Sequence, residues 1–481
     1  MAGSEVVDTA TMQQNVVQTW DSEILPSLTD FVAIPALSPA FDADWATSGH
    51  LDAAAEHLRA WLAGRAIPGA TVEIVRLPGL TPVVLLDVPA SDGVPADAGT
   101  VILYGHLDKQ PPFGRWSDGL GPWTPVRREH RLFGRGAVDD GYSGYAATAA
   151  IEGLLAGGGR HARCVLVLET SEESGSPDLP AYLEHLRGRL GEVSLVVCLD
   201  SGGFDYERLW LSTSLRGLVG ADVTVRVLPH GLHSGQASGV VPSSFRIFRM
   251  LLDRLEDSAT GRVLLPEMHV EIPADRLAEA RASVAASPGM ATSAYQVLDG
   301  MRLVSDDDVE LLLNNAWRPT LSVIGADGFP SPADAGNVLR PFSTFKLSFR
   351  LPPTADAQAC FEALRKALTT DVPYGAHVEL GHVEAAGGWN APALAPWLRS
   401  TLDELSRDVF GNPWGTVGIG GSIPFMALLA ESYPQAQFVV TGAAGRDSNT
   451  HVPDEWLNLD QAARVSQSVA LILDAHAGRA G

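Results

Sequence analysis

The chain has 481 residues with a formal net charge of -23 at pH 7, and 46% of the residues are hydrophobic. This composition is typical of a folded globular protein, and the length favours two domains. The negative field of such a chain repels phosphate groups and anionic lipid, so we expect no nucleic-acid partner and no membrane partner.

Cysteine spacing and the N-terminal segment bear on the cellular compartment. Cys164, Cys198 and Cys360 are widely spaced and form no CxxC pair, which argues against a disulfide framework and against a thiolate zinc site. The N-terminus lacks the basic start and apolar run of a signal peptide, and no stretch reaches the roughly 20 apolar residues that span a bilayer. The sequence therefore predicts a cytoplasmic protein.

The first half of the chain alternates helical and strand patterns. Residues 51–65 predict an amphipathic helix, and residues 71–88 predict two strands broken at Pro78 and Gly79. Four short apolar runs, typical of buried strands in a mainly parallel sheet, lie at residues 101–104, 165–168, 195–199 and 438–440. Each run is followed by polar residues. Because ligands bind beyond the carboxyl ends of such strands, these polar residues are the first candidates for a site.

Between residues 216 and 387 the pattern changes to strand–helix–strand repeats. Strands are predicted at 218–228, 342–351 and 376–383, and helices at 243–256 and 357–368, an order typical of a ferredoxin-like layer. We therefore predict an α/β protein in which residues 1–215 and 388–481 form a mainly parallel-sheet domain and residues 216–387 an inserted ferredoxin-like α+β domain. The first sheet is expected to resume near Trp414.

Histidines and carboxylates recur where the predicted strands end. The segments are YGHLD with His106 and Asp108, GRGAVDD with Asp139 and Asp140, LETSEES with Glu172 and Glu173, LVVCLD with Asp200, and SNTHVPDE with His451. Each segment alone favours a structural interpretation, such as a surface charge pair, a turn or a helix cap. Together they supply two histidines and three acids suited to zinc, enough for two metals that share an aspartate. Glu172 is left to accept a proton from metal-bound water.

In this order and spacing, the segments resemble the motifs of a known family of co-catalytic zinc hydrolases. The family includes aminoacylase, carnosinase, carboxypeptidase G, succinyl-diaminopimelate desuccinylase and acetylornithine deacetylase. The resemblance extends over nearly the whole chain, and the long predicted insert favours the carnosinase-like dipeptidase branch. It implies that Asp139 bridges two metals, that His106 and Asp200 hold one of them, and that Glu173 and His451 hold the other.

The resemblance also implies the surroundings of the metals. Asp108 would stand behind His106, Glu172 would act as the general base on a water that bridges the metals, and the Asp139–Asp140 peptide would be cis. We expect two divalent ions, zinc in the first place, with manganese or cobalt as the alternatives that the same ligands accept.

The resemblance assigns further roles to residues of the insert and of a late glycine-rich loop. His233 resembles the lid histidine that steadies the oxyanion in the partner subunit's active site, which implies a homodimer and makes the insert a lid and dimerisation domain. Asn337 and Arg350 resemble the residues that hold the substrate carboxylate. Gly421 and Ser422 belong to a GGSIP loop that resembles a substrate-contacting loop of carnosinase-like members.

Two departures from the family pattern concern the substrate pocket. Lys109 in GHLDKQPP replaces the commoner valine, and DDGYSG replaces the commoner DDKG. We expect a changed pocket with unchanged metal chemistry. For Lys109 we weigh contact with the substrate against a simple salt bridge, and we favour the salt bridge.

The function implied is that of a metal-dependent hydrolase, which cleaves an amide or peptide bond in a dipeptide or similar small substrate with a free carboxylate. The alternative is the same chemistry on an N-acyl amino acid. A two-metal phosphoesterase is less favoured, because no basic cluster adjoins the candidate ligands. A non-catalytic metal-binding homologue is less favoured because Glu172 and every candidate ligand are present.

Overall fold

The computed structural model describes residues 7–479 except 294, 296 and 422. The strands of the described residues, in chain order, are β1 (Thr71–Val75), β2 (Val83–Val88), β3 (Thr100–His106), β4 (Val126–Arg128), β5 (Arg131–Phe133), β6 (Arg163–Glu169), β7 (Val193–Cys198), β8 (Trp210–Leu215), β9 (Gly217–Arg226), β10 (Leu232–His233), β11 (Glu256–Asp257), β12 (Arg262–Val263), β13 (Thr320–Asp327), β14 (Val338–Leu339), β15 (Phe342–Leu351), β16 (His377–Ala386), β17 (Trp389–Asn390), β18 (Gly415–Ile419), β19 (Gln437–Val440) and β20 (Trp456–Asn458).

The α-helices of the same residues are α1 (Thr9–Thr19), α2 (Leu25–Val32), α3 (Trp45–Ser48), α4 (His50–Ala63), α5 (Ser143–Ala156), α6 (Leu179–Leu190), α7 (Ser234–Ala237), α8 (Ser244–Leu252), α9 (Ala274–Ala286), α10 (Asp308–Ala316), α11 (Ala357–Thr369), α12 (Pro396–Phe410), α13 (Pro424–Ser432) and α14 (Leu459–Gly478). A π-helical segment, Trp20–Ile24, joins α1 to α2. Within the described part of the chain, every helix is too short or too polar to cross a lipid bilayer.

The largest sheet has six strands in the order β1-β2-β6-β3-β7-β19. Strands β6, β3, β7 and β19 run parallel, whereas β1 and β2 extend one edge in antiparallel pairs. Side chains of β3 alternate between the faces: Val101 and Leu103 pack in the core with α4, α5 and α14, and Ile102 and Tyr104 pack in the core with α6 and α13. The predicted α/β sheet and its four buried strands are thus confirmed.

A second sheet of four antiparallel strands has the order β13-β15-β9-β16. Helices α8 and α11 pack on one face of it and share a separate apolar core with β9 and β15. The chain order β9, α8, β13, β15, α11, β16 is that of a ferredoxin-like layer. Strand β13 was not predicted, because its residues are only half-buried or exposed and lack a buried apolar face.

The first sheet does not resume near Trp414, so that prediction was wrong. Strand β18 begins there, but it pairs with β8 and belongs to a separate three-stranded sheet, β17-β8-β18. Glycine allows this close approach: a Cβ atom at Gly415 would lie 2.7 Å from the Trp210 ring, and one at Gly418 would lie 2.5 Å from Ala316. The six-stranded sheet resumes only at β19.

Candidate metal centre and active site

Five of the predicted side chains meet at the carboxyl-end edge of the parallel strands. His106 is the last residue of β3, Glu173 lies in a 3₁₀ turn just after β6, and Asp200 follows β7. Asp139 comes from the loop before α5, and His451 from the loop after β19. This is the edge at which open α/β sheets bind ligands, so the sequence-based expectation of convergence is met.

Asp139 divides its two carboxylate oxygens between the two histidines. Its Oδ1 lies 3.3 Å from His106 Nε2, and its Oδ2 lies 2.8 Å from His451 Nε2. Asp200 Oδ2 stands 3.8 Å from His106 Nε2, and Glu173 Oε2 stands 3.3 Å from His451 Nε2. Each histidine with its two carboxylates forms a group whose donor atoms all lie within 4.8 Å of one another. The geometry can therefore hold two cations joined by one aspartate.

Unpaired buried atoms at these positions fit a pair of divalent ions. His106 Nε2 and Glu173 Oε1 are buried, and neither has a hydrogen-bond partner among the described residues. The other ring nitrogen, His106 Nδ1, lies 3.1 Å from the carbonyl oxygen of Asp108, which can accept its N–H. That hydrogen bond selects the tautomer whose Nε2 lone pair is free to bind a metal. Imidazole with carboxylates is a donor set that suits zinc.

Asp108 lies beside His106 and also contacts the turn that carries Glu172 and Glu173. Its carboxylate lies 3.5 Å from His106 Nδ1, and the same group accepts hydrogen bonds from the main-chain N–H of Glu172 at 3.1 Å and of Glu173 at 3.0 Å. The carboxylate therefore also fixes the turn that presents both glutamates. Motif comparison gave no sign of this contact, because it joins residues 64 and 65 positions apart.

Glu172 belongs to neither donor group but faces the same space. Its Oε2 lies 4.0 Å from His106 Nε2, and its side chain lines the cavity above the centre. Burial raises the pKa of Glu172 to about 8, and nearby carboxylates add to that rise. An unligated carboxyl beside two candidate metal positions can exchange a proton with a reacting group.

The crowding of acids sets the protonation of the centre. Burial and the neighbouring carboxylates raise the pKa of Asp200 and of Glu173 well above the ordinary range. Asp139 differs: although burial acts against it, the adjacent imidazoles of His106 and His451 lower the pKa of its carboxyl. The histidine-bound Asp139 is thus the carboxylate most ready to bridge, and the others need added positive charge to ionise together.

Asp140 supports the strand that ends at His106. Its Oδ2 accepts a hydrogen bond from His106 N–H at 3.2 Å, and the Asp139–Asp140 peptide is cis, as the resemblance implied. The glycine of the GHLD motif makes room for this carboxylate. A Cβ atom at Gly105 would lie 1.9 Å from Ser143 Oγ and 2.6 Å from Asp140 Oδ2.

A cavity of about 620 Å³ opens above the centre. Of the predicted substrate-binding residues, Arg350 and Gly421 line it, whereas Ser422 lies outside the described residues. Gly420, the first residue of the GGSIP loop, also lines the cavity, and lining residues that sequence analysis missed include Gln110, Phe204, Tyr295 and Asn315. Gln110 donates a hydrogen bond to Glu173 Oε2 at 2.6 Å, and its place two residues after Asp108 was the one available signal. The others lie outside the recognised segments.

His233 and Asn337 are not brought to this cavity. His233 is exposed on the short strand β10, where its Nδ1 accepts a hydrogen bond from Gly235 N–H at 3.1 Å. Asn337 is also exposed, and its carbonyl oxygen accepts a hydrogen bond from Ser234 N–H at 2.9 Å. The two residues therefore lie together on the surface, apart from the centre of their own chain.

Lys109 has neither of the roles considered for it. The side chain is fully buried, does not line the cavity and has no carboxylate within ion-pair distance among the described residues. Its Nζ donates hydrogen bonds to the carbonyl oxygens of Phe31, Val32 and Ile34 at 2.9, 3.2 and 2.8 Å. The carbonyls of Phe31 and Val32 lie at the C-terminal end of α2 and that of Ile34 lies just beyond it, so Lys109 caps this helix.

Comparison with known proteins finds peptidases that are similar to this chain. The model of peptidase family M20/M25/M40 matches residues 102–475. The cysteinylglycine-S-conjugate dipeptidase of Corynebacterium striatum is 26% identical over 75% of this chain and 77% of its own length. The Beta-Ala-His dipeptidase of Mus musculus is 26% identical over 75% of this chain and 73% of its own. The solved structure of the dipeptidase Dug1p of Saccharomyces cerevisiae superposes with a TM-score of 0.78, at 21% identity, over 98% of this chain and 99% of its own.

Proposed function

The chain belongs to peptidase family M20/M25/M40, a family of metal-dependent hydrolases, and from this premise we propose that it cleaves the peptide bond of a dipeptide with a free carboxylate. The observation that carries the proposal is the arrangement around Asp139. One oxygen of this residue faces each donor group, and Glu172 stands outside both groups at the wall of the same cavity. The names of the two relatives, both dipeptidases, support the choice of substrate.

We propose two divalent ions, most simply zinc, at the two donor groups. His106, Asp139 and Asp200 would hold one ion, and Asp139, Glu173 and His451 the other. Manganese or cobalt would suit the same mixed nitrogen and oxygen ligands. When bound, such ions polarise the substrate carbonyl and lower the pKa of water.

Glu172 would transfer the protons of the reaction. In the proposed sequence it takes a proton from the attacking water and later delivers it to the leaving amine. Asp108 keeps Glu172 at the cavity by accepting its main-chain N–H, and His106 keeps its tautomer through the carbonyl of Asp108. The catalytic carboxyl is thus held by the same segment that supplies the first ligand.

Arg350 and Gly421 would bind the far end of the substrate. Both line the cavity, and a guanidinium makes paired hydrogen bonds to a carboxylate. Ser422, the next residue of the same loop, is proposed as a further contact on the strength of the resemblance alone. A dipeptide bound in this way would place its peptide bond between Arg350 and the donor groups.

His233 and Asn337 lead us to propose a homodimer. Both are exposed and neither lines the cavity of its own chain, whereas the resemblance gives both a role in substrate binding. We propose that residues 216–387 form an inserted lid and dimerisation domain, with residues 1–215 and 388–481 as the catalytic domain. His233 would then steady the oxyanion, and Asn337 the substrate carboxylate, in the site of the partner subunit.

A substrate screen of metal-loaded protein tests the proposal. Protein reconstituted separately with zinc, manganese and cobalt is assayed with mixed dipeptides, with N-acetyl and N-succinyl amino acids, and with a phosphate ester. We expect dipeptide turnover that is lost on chelation and restored by metal. Turnover confined to the N-acyl amino acids would replace the dipeptidase by a deacylase. Protein that holds two metals yet is inert toward every amide would contradict the proposal.

A further inference from the structure

A buried arginine behind the cavity wall has no role in the chemistry described so far. Arg216 lies between β8 and β9, is only 7% exposed and does not line the cavity. Its hydrogen bonds go to a carbonyl oxygen and a hydroxyl, and among the described residues no carboxylate lies within ion-pair distance of it. Burial, with the nearby charge of Arg350, lowers the pKa of Arg216 to about 10. A cation buried at this cost calls for a specific explanation.

Arg216 holds the glycine loop of the cavity wall at two points. Its Nε donates a hydrogen bond to the carbonyl oxygen of Gly420 at 2.9 Å, and its main-chain N–H donates one to the carbonyl oxygen of Gly421 at 3.0 Å. Gly420 and Gly421 line the cavity, whereas Arg216 does not. Both carbonyls are therefore turned away from the substrate space.

The geometry of the peptide group then orients a donor. The Gly420–Gly421 peptide is trans, so its N–H points in the direction opposite to its carbonyl. With the Gly420 carbonyl bound by Arg216, the Gly421 N–H is directed to the cavity side. The structure gives this N–H no acceptor among the described residues. A main-chain donor without an acceptor at a cavity wall suits an anionic group of a ligand.

Arg216 is connected to Arg350 as well. Its Nη1 donates a hydrogen bond to Thr320 Oγ1 at 3.2 Å, and Thr320 is the cross-strand neighbour of Arg350 in the β13–β15 pair. One buried guanidinium therefore joins the glycine loop to the strand pair that presents Arg350. Since lysine offers only a point charge, the several N–H donors of a planar guanidinium are needed to bind the glycine loop and Thr320 together.

We infer that Arg216 is a positioning residue for the site that binds the substrate carboxylate. It orients the N–H of Gly421 and supports Arg350, so that both donors reach the same carboxylate. This inference rests on the proposed function, since it concerns the free carboxylate of the dipeptide. It assigns specificity for a free carboxylate to a residue that never touches the substrate.

Binding of dipeptides and of the matching dipeptide amides tests the inference. Affinities are measured by calorimetry on metal-loaded protein in the Glu172→Gln background, which is expected to bind without turnover. We expect Arg216→Met to weaken acid binding about tenfold, the loss typical of a hydrogen bond to a charged group, and to leave amide binding unchanged. Arg216→Lys should recover only part of the loss. Thr320→Val, which removes one acceptor and little volume, should weaken acid binding about threefold.

A second buried arginine provides the matched control. Arg276 is 6% exposed, forms an ion pair with Glu279 at 2.6 Å, and donates hydrogen bonds to the carbonyl oxygen of Ala391 and to Asn390 Oδ1, away from the cavity. Arg276→Met should leave the ratio of acid to amide affinity unchanged. If Arg216→Met fails to fold, Thr320→Val decides the question.

The outcomes separate this inference from the proposed function. Protein that binds neither acids nor amides counts against the proposed function. If the Glu172→Gln protein binds acids more tightly than amides, and Arg216→Met and Thr320→Val keep the same preference, the inference alone is overturned. Equal loss of acid and amide affinity in Arg216→Met also overturns it, because that result marks general damage to the wall.

Discussion

Arg135 and Glu455 form an ion pair in the interior, with Arg135 Nη1 at 2.5 Å from Glu455 Oε2 and both side chains no more than 1% exposed. The other oxygen, Glu455 Oε1, accepts hydrogen bonds from the main-chain N–H of Gly136, Val138 and Asp139 at 2.9, 3.3 and 3.4 Å. Glu455 follows His451 by four residues. Its carboxylate therefore connects the loop that carries Asp139 with the loop that carries His451.

Removal of Arg135 should therefore destabilise the protein strongly. Burial and the nearby charge of Asp139 raise the pKa of Glu455 to about 7, and the charge and hydrogen bond of Arg135 oppose this rise. In Arg135→Met the carboxyl group keeps its burial and loses its cation, which typically costs about 3–5 kcal/mol. The free energy of unfolding, measured in urea on metal-free protein, checks this.

The control for Arg135→Met is Arg59→Met. Arg59 forms a solvent-exposed pair with Glu56, and the loss of such a pair has little effect on the free energy of unfolding. Equal losses in the two variants would contradict the structural role given to the buried pair.

The edge of the main sheet could be predicted because it depends on local patterns. Runs of apolar and β-branched residues mark β3, β6, β7 and β19, and in a parallel sheet their carboxyl ends must meet at one edge. The spacing of the motifs alone could not show that Asp139 is the ligand shared by the two metal positions. Asp139 faces both His106 and His451 only because strand order brings together three segments that are distant in sequence, and the resemblance supplied that assignment.

Tertiary contacts explain what the sequence could not predict. Lys109 is a charged residue beside a metal motif, and nothing local indicates that its partners are carbonyls 75 to 78 residues earlier in the chain. Strand β18 has the pattern of a strand, but pattern does not select a partner, and contact with Trp210 placed it in another sheet. The function of Arg216 was equally hidden, because a loop 204 residues away provides its acceptor.

Glu172→Gln should remove most of the turnover without loss of metal. The side chain stands outside both donor groups, so an amide in its place leaves every candidate ligand intact but cannot take up a proton. General acid–base catalysis typically contributes about 10²- to 10⁴-fold, and kcat should fall by that factor. Metal content is measured by plasma mass spectrometry beside kcat.

His451→Ala is the contrasting variant for Glu172→Gln. Loss of His451 removes a donor from one group only, so the protein should retain about one metal equivalent of two. Retention of both metals by His451→Ala, or loss of metal from Glu172→Gln, would contradict the division of the site into two groups and a base.

Lys109 should make stability depend on pH in the alkaline range. Burial lowers its pKa from 10.5 to about 7, so between these values the unfolded chain binds a proton that the folded chain does not. Stability should then rise with pH, by about 1.4 kcal/mol per unit, and should stop changing below about pH 7. In Lys109→Met this contribution is absent. Urea unfolding of both proteins at pH 7, 8 and 9 measures this contribution. A difference between their free energies of unfolding that does not change with pH would contradict a lowered pKa of Lys109.

Metal binding should release protons, and its affinity should rise with pH. In the metal-free centre, contact with Asp139 raises the pKa of His451 to about 9 against the effect of burial, and the carboxyls of Glu173 and Asp200 also titrate well above their ordinary range. Since metals bind neutral imidazole and ionised carboxylate, at least one proton must leave His451 at pH 7. For each proton released, the apparent dissociation constant should fall about tenfold per pH unit. Calorimetric titration with zinc in two buffers of different ionisation enthalpy measures the number released. His451→Ala should release fewer protons, and a binding enthalpy that is the same in both buffers would show that the ligands are already deprotonated.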